Sequence, residues 1–487
     1  MRYILVTRSG VVDSSSGEVL SLDRLEEVLL ERPGGVIAGN NMYPVLATLV
    51  PMIKCDSGWS AKLKLQHKKK VLTGRVGGGI YFTHLSYRFP KERRNGKRHR
   101  PKSIKWLVLN LELFTETDDI AGASKALVDL ADRRGISPRY SPGSFGGALL
   151  KASPLWSRDR NPAPWFISEK ARFYLPGNYY ALRVGIKHKT IDSALYVDQK
   201  SSHHTISSSV VLPDPRYLRA RGRLRAVENG EYPRWLDSPK ILKEHTGLLC
   251  AIIHSKGIPE DLEHLYPPWA RLEGTRAVWI WTPELRILNS RVKLLWVSCA
   301  LTSFEMDKAL REFAEWSLAQ LKDHNHPAIK PALLAAYGLL GVQVKDSIKN
   351  YTVTGRPKPE SAKIVKLPLI DEVYCSTIES VRVPVIQNVV ARGVIEAETR
   401  TRSLEYARLL EGKGVMVSQI YADGLIAVTD SIPEIPDGWR IAGVLSNLVS
   451  SSPNTIVSDE IVRMPGVPSG RRTIHIEQTS RALDKVV

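Results

Sequence analysis

Two apolar, strand-like runs, Val415–Ala422 and Leu425–Val428, are separated only by Asp423-Gly424. Asp-Gly between such runs is a strong hairpin signal, because the tight turn needs a left-handed backbone that these residues tolerate. A carboxylate is therefore expected at the tip of a β-hairpin, and a hairpin needs further strands or a helix to bury one of its faces. A second apolar run, Ser193–Asp198 (SALYVD), reads as a strand that also ends in a carboxylate and passes into the polar residues Gln199–His204. An aspartate at a strand end is usually a turn or cap residue, so neither position carries chemistry alone.

At 487 residues the chain is too long for one core, and two to four domains are expected. Its 43% apolar and 24% charged residues are those of an ordinary globular protein. No run approaches the roughly 18 apolar residues of a membrane span, and MRYILVTRSG begins directly as a strand. Neither a membrane association nor a secretory signal is therefore expected. Cys55, Cys250, Cys299 and Cys375 are far apart and lack metal-site spacing, which reads as thiols of a reducing, cytoplasmic compartment.

Charge narrows the partner. The chain carries 69 Lys+Arg against 50 Asp+Glu, a formal charge of +19. Between Ser60 and Lys105 there are fifteen Lys/Arg and one acid, Glu92, including Lys68, Lys69, Lys70, Arg93, Arg94, Lys97, Arg98 and Arg100. A second cluster holds Arg216, Arg219, Arg221, Arg223 and Arg225. Such density repels itself until a polyanion neutralises it, so a phosphate backbone is the natural partner. A solvated basic loop, or a patch for acidic protein or lipid, is the plainer alternative.

Alternating strand-like and helix-like pieces mark the first ~150 residues as an α/β domain interrupted by the basic stretch. They include Arg2–Thr7, Leu22–Leu30, Trp106–Leu111 and Ala121–Arg134. Ser141–Gly147 (SPGSFGG) reads as a turn-rich boundary. Pro213–Gly274 resists assignment. Strands are expected at Thr275–Thr282 and Val292–Val297, and helices at Asp307–Leu321 and Pro327–Leu340 with a short polar turn between them. Val394–Leu410 reads as a long amphipathic helix.

The second expected helix of that pair carries Lys330 and Tyr337, two turns apart and so on one face. Phosphoryl transfer can use such parts. Two carboxylates on neighbouring strands can hold two Mg²⁺ or Mn²⁺ ions, a lysine can neutralise a triphosphate, and an aromatic can stack on a base.

In this order the segments resemble the family B DNA polymerases, particularly the protein-primed enzymes of phages and mobile elements. The family's Asp-x-x-Ser-Leu-Tyr-Pro is similar to Asp198 and Ser201, with His203 where the ribonucleotide-excluding Tyr stands. Its Lys-x-x-x-Asn-Ser-x-Tyr-Gly is similar to Lys330, Tyr337 and Gly338, with Leu334 and Ala335 replacing Asn-Ser. Its Asp-Thr-Asp-Ser can be laid on the hairpin in two ways. Matching the preceding Tyr to Tyr421 gives Asp423 the first Asp and Leu425 the second; laying the motif over Tyr421–Gly424 keeps the second Asp at Asp423. The latter is favoured by the strand that follows.

The resemblance implies a right-hand polymerase of α+β and α/β domains. An exonuclease-like domain of ribonuclease-H type would occupy 1–170, the palm 171–300 with an insertion at about 213–274, the fingers helices 301–345, the second part of the palm 346–430, and a thumb-like region 431–487. It also implies catalytic, metal-holding Asp198 and Asp423, and substrate contacts from Lys330, Tyr337, Ser201, His203 and Gly338. The partners would be a DNA primer–template, dNTPs and, as in the protein-primed members, a protein primer, in the cytoplasm of a bacterium or phage host. The family's nuclease carboxylates are missing from Leu5–Ser9, and Val45 stands where an Asp belongs after Asn41, so the N-terminal domain is expected to lack proofreading. Two alternatives stay open: a catalytically silent, polymerase-like DNA-binding protein, and a viral structural or packaging protein that recruits DNA by charge.

Overall fold

The computed structural model describes residues 3–7, 10–14, 16–31, 35–40, 59–65, 70–71, 74–75, 80–88, 93–94, 97–98, 103–115, 117–156, 183–185, 190–235, 246–324, 326–341, 350–354, 362–367, 370–376, 388–429, 431–452, 455–457 and 462–463. By its internal contacts the chain divides into two units, Met1–Trp156 with Ala319–Ile386, and Ser157–Leu318 with Gln387–Val487.

The first unit is built on a seven-stranded mixed sheet. In spatial order the strands are Asn350–Thr354, Trp59–Leu65, Ile80–Arg88, Ser103–Asn110, Gly35–Gly39, Tyr3–Thr7 and Gly10–Asp13. The middle of the sheet, Ser103–Asn110 beside Gly35–Gly39 beside Tyr3–Thr7, is parallel, and the other pairs are antiparallel. The helix Ile120–Asp132 packs on Tyr3–Thr7 and Gly35–Gly39, burying Ala123, Leu127, Val128 and Ala131. The basic stretch does more than interrupt this domain, because Trp59–Leu65, Ile80–Arg88 and Ser103–Asn110 belong to the sheet. The densest charge falls between those strands, on two small hairpins, Lys70–Val71 with Gly74–Arg75 and Arg93–Arg94 with Lys97–Arg98. Lys68, Lys69 and Arg100 lie outside the described residues.

Ser141–Gly147 is not a turn. It opens the helix Pro142–Lys151, with Pro142 in the first turn, where its missing N–H costs nothing. The glycines serve a helix crossing. A Cβ on Gly146 would stand 2.6 Å from the Ala332 carbonyl oxygen and 2.6 Å from the Ala336 nitrogen of the helix Ile329–Leu340. Backbone cannot retreat as a side chain can, so Gly146→Leu is expected to lower stability by about 3 kcal/mol or more through overpacking. Thermal unfolding measures this, and an unchanged midpoint would contradict the crossing.

The second unit contains two antiparallel sheets. The first runs Arg183–Gly185, Met416–Tyr421, Gly424–Val428, Thr190–Gln199, Trp439–Ser452, Thr455–Val457, Val462–Arg463. The second runs Arg219–Gly222, Val292–Ser303, Thr246–Ser255, Gly274–Trp281, so the unassigned stretch after Pro213 supplies two of its strands. One apolar cluster joins both sheets, including Leu195, Val197, Leu249, Ala251, Ile280, Val297, Val417, Ile420 and Leu425.

The long helix is Val389–Gly412, longer than the periodicity suggested and not amphipathic. Nearly every side chain from Val390 to Leu404 is buried, among them Glu396, Glu398, Thr399, Arg400, Thr401 and Ser403. Helices buried all round are normally apolar; in this one Glu396, Glu398, Thr399, Arg400 and Ser403 have partners, while Thr401 Oγ1 is buried without one. Asn388 caps it, accepting from the Ala391 N–H at 3.0 Å and donating to the Pro213 carbonyl at 3.1 Å. Among the described residues no helix is long and apolar enough to cross a membrane.

Candidate active site

Thr190–Gln199 is the sheet strand flanked by Gly424–Val428 on one side and Trp439–Ser452 on the other. Asp198 sits near its end, in register with Gly424 and with Arg440. The hairpin that carries Asp423 closes beside it, and the Gln199 N–H donates to the Asp423 carbonyl at 2.8 Å. The two aspartates thus stand on adjacent segments at one end of one sheet, both half-buried.

The hairpin turns one residue earlier than Asp-Gly suggested. Tyr421 pairs with Gly424, so the turn is Ala422-Asp423, with Ala422 in the left-handed region at φ 54°. Gly424 already belongs to the returning strand and is required there by packing. A Cβ on it would lie 2.7 Å from the Tyr196 ring. Among the described residues three non-glycines have positive φ, and two of them are here: Ala422 before Asp423, and Ser201 (φ 46°) after Asp198. Such conformations cost about 1–3 kcal/mol each and persist where the surroundings over-determine them.

The surroundings are the long helix. Gln199 Nε2 donates to the Thr399 carbonyl at 3.1 Å and to Ser403 Oγ at 2.9 Å. Ser403 Oγ donates to the Ala422 carbonyl at 3.0 Å, and Ser202 Oγ lies 3.2 Å from Thr399 Oγ1. One turn of helix therefore holds both the strand end that follows Asp198 and the turn that presents Asp423. Sequence reading missed these supports, since Thr399 and Ser403 are unremarkable in a helix until their partners are known.

Arg440 was also missed. Its guanidinium lies 3.2 Å from Asp198 Oδ2, placing a positive charge against the carboxylate. His203 and His204 are on a helix, Ser202–Ser209; at 100° apart they diverge, His204 wholly buried and His203 half-buried. His203 Nε2 is 3.7 Å from Glu396 Oε1, an ion-pair separation rather than a hydrogen-bonded one, and Arg392 pairs with the same carboxylate. Burial alone would raise the Glu396 carboxyl, but the contact to His203 and the charges of Arg392, His203 and Arg400 outweigh it and hold it at about 2.

A depressed carboxylate stabilises the fold above its unfolded value, about 4.5, and that contribution is lost as pH falls through about 2. The difference corresponds to about 3 kcal/mol. Unfolding followed between pH 5 and pH 2 is therefore expected to show a loss of stability that Glu396→Gln lacks; parallel profiles would contradict the pairing.

Lys330, Tyr337 and Gly338 belong to the first unit. Lys330 is exposed in the first turn of Ile329–Leu340, Tyr337 is wholly buried, and Gly338 is exposed. Arg219, Arg221 and Arg223 belong to the second unit, on or beside the edge strand Arg219–Gly222. Among the described residues no group of three or more His, Cys, Asp or Glu converges in a way that could hold a metal ion.

No protein-family model matches the chain, and no curated protein matches it. Solved structures do. The chain aligns over 97% of its length with 93% of Phi29 DNA polymerase complexed with primer-template DNA and incoming nucleotide substrates, at a TM-score of 0.55 and 12% identity. The chain has the fold of Phi29 DNA polymerase. Phi29 DNA polymerase complexed with single-stranded DNA aligns at a TM-score of 0.52 and 12% identity, over 97% of this chain and 92% of that one. Its orthorhombic crystal form gives 0.51 and 14%, with the same coverage. Phi29 polymerase is a protein-primed family B enzyme, so the likeness expected from the ordered motifs holds at the level of fold.

Proposed function

We propose that this chain is a template-directed DNA polymerase that transfers dNTPs to a DNA 3′-hydroxyl or to a protein primer and does not proofread. The observation that carries the reading is the meeting of Asp198 and Asp423 at one sheet end, held there by one helix, in a chain with the Phi29 polymerase fold.

A divalent cation fits these residues. Mg²⁺ characteristically takes one or two protein carboxylates and completes its shell with water and substrate phosphates, so two aspartates suffice. The Arg440 guanidinium, 3.2 Å from Asp198 Oδ2, would give way to the ion. Asp198 and Asp423 would hold the ions, which when bound supply charge neutralisation for the attacking and leaving oxygens. Lys330, exposed on its helix, would hold the triphosphate, and Tyr337 with Gly338 would support the nascent base pair. Ser201 and His203 follow Asp198 on the turn and helix that would face the incoming sugar, with His203 anchored by Glu396.

Residues 1–170 would form the exonuclease-like domain. Its first strand, Tyr3–Thr7, contains no carboxylate, while Asn41 and Val45 lie outside the described residues. A primer labelled at its 3′ end is expected to stay intact with Mg²⁺ in the absence of dNTPs; its stepwise shortening would contradict the loss of proofreading.

The test is extension of a labelled primer on a template with dNTPs and Mg²⁺ or Mn²⁺. One observation favours a silent, DNA-binding chain instead: Asp198 is already paired with Arg440. Tight, salt-sensitive DNA binding without extension would decide for that second reading.

A further inference from the structure

The edge of the four-stranded sheet in the second unit carries arginine and aromatic side chains together. Arg219–Gly222 is its outermost strand, paired with Cys299–Thr302. After the short helix Leu224–Glu228 the chain returns to the same edge. The Trp235 N–H donates to the Val297 carbonyl at 3.0 Å, the Trp235 ring closes on Gly222, and Trp296 Nε1 donates to the Tyr232 carbonyl at 3.1 Å. Residues 219–222 and 232–235 therefore line one continuous edge of the strand Val292–Ser303. From Trp296 to Phe304 that edge is about 26 Å long at about 3.3 Å per residue.

Arginine and aromatic side chains alternate along it. The Arg221 guanidinium lies over the Phe304 ring at 4.5 Å, Arg234 over Trp296 at 5.4 Å, and Arg216 over Tyr217 at 5.2 Å. Asp214 neutralises Arg216 by a two-pronged contact. Among the described residues, no ion pair involves Arg219, Arg221, Arg223, Arg225 or Arg234, and Arg221 Nε is buried without a hydrogen-bond partner. Glu228, Glu231 and Glu305 are the acids of the same stretch, leaving the arginines in excess. Three rings face solvent: Phe304 at 55% exposure, and Tyr217 and Tyr232 at 44% each.

Uncompensated arginines suit any polyanion. Exposed rings spaced between them suit one whose flat faces are free. In a duplex each base face is covered by its neighbour, whereas in a single strand the bases can leave the stack and lie on aromatic side chains. An acidic protein segment would satisfy the arginines and leave the rings exposed.

We propose that this edge binds single-stranded nucleic acid without sequence preference, arginines on the phosphates and Tyr217, Tyr232 and Phe304 as stacking surfaces. Its length suits the lower end of the roughly 4–16 nucleotides that a stacking groove covers. The proposal depends on the polymerase reading only in taking DNA as the partner; the strip is a separate surface from Asp198 and Asp423, and the two can fail separately.

The test uses the full chain and a 20-nucleotide oligothymidylate carrying 5-iododeoxyuridine, photo-crosslinked and mapped by mass spectrometry, with anisotropy on the same strand and on a blunt duplex. Crosslinks at Tyr217, Tyr232 or Phe304 are expected. Tyr217→Ala and Phe304→Ala should each weaken single-strand binding about tenfold and leave duplex binding unchanged, while Phe304→Trp retains it. Both rings are exposed, so unfolding midpoints should not move. Crosslinks confined to residues 60–105, ring variants that bind the single strand like the parent, or equal losses on both DNAs would overturn the proposal. Displacement of the oligonucleotide by polyglutamate at equal charge concentration, with the crosslinks at these rings lost, would also overturn it, assigning the arginines of the strip to an acidic protein. An Asp198→Asn chain that no longer extends primers should still crosslink at the same rings.

Discussion

Asp198→Asn is expected to reduce primer extension at least about a thousandfold while leaving the chain folded. The substitution keeps the shape and the backbone pairing of Asp198 with Gly424 and Arg440, so neither strand is disturbed. It removes the negative charge that a divalent ion needs. A thousandfold loss corresponds to about 4 kcal/mol, within the several kcal/mol that metal-borne charge stabilisation supplies to phosphoryl transfer. Asp423→Asn should act alike. The double variant should lose little more than either single one, since groups that act together are not additive. The Asp198–Arg440 contact is half exposed on its arginine side, so its loss should move the unfolding midpoint by only a few degrees. Extension by Asp198→Asn at the parent rate would remove the aspartate from the chemistry.

The largest expected effect on stability is that of Glu284→Ala. Glu284 and Arg400 form an ion pair at 2.8 Å with side-chain exposures of 2% and 1%. Both oxygens of the carboxylate are engaged: Oε1 accepts from Arg400 and, at 3.4 Å, from Trp269 Nε1, and Oε2 accepts from the Trp281 N–H at 2.8 Å. Removing it leaves a buried guanidinium without its charge partner, which typically costs about 3–5 kcal/mol. The midpoint should fall by about 10 °C. Replacing both partners with apolar residues should be far milder, because the cost lies in the orphaned charge rather than in the missing bridge. Equal losses in the single and double variants would contradict this. Arg400 lies between Thr399 and Ser403 on the helix, so Glu284→Ala should also loosen the two turns that present Asp198 and Asp423 and lower extension.

The local elements of the site were legible and its supports were not. Asp198 and Asp423 could be found because each ends a short apolar run, and that pattern is local. The turn was displaced by one residue because Asp-Gly fits the left-handed geometry best, yet Ala422 takes it and Gly424 is reserved for the Tyr196 ring. The glycines of Ser141–Gly147 imitate a turn because glycine marks both bends and close helix crossings, and only the opposite helix distinguishes the two. Gly247–Ser255 escaped assignment because a strand between two others, covered on both faces, is a continuous apolar run without a period of two. Arg440 pairs with a residue 242 positions away, and no pattern along the chain encodes such a contact. The basic stretch was legible as charge. Its division into sheet strands and hairpins was partly readable in the alternation of Trp59–Leu65, where lysines interleave with apolar residues.

The most direct measurement is single-nucleotide extension on four primer–templates that differ only in the templating base, each offered the four dNTPs separately with Mg²⁺. Addition of the complementary nucleotide in all four cases, and of the other three only weakly, is the expected result. A chain that binds the primer–template and adds nothing, or adds nucleotides regardless of the templating base, would contradict template-directed nucleotidyl transfer.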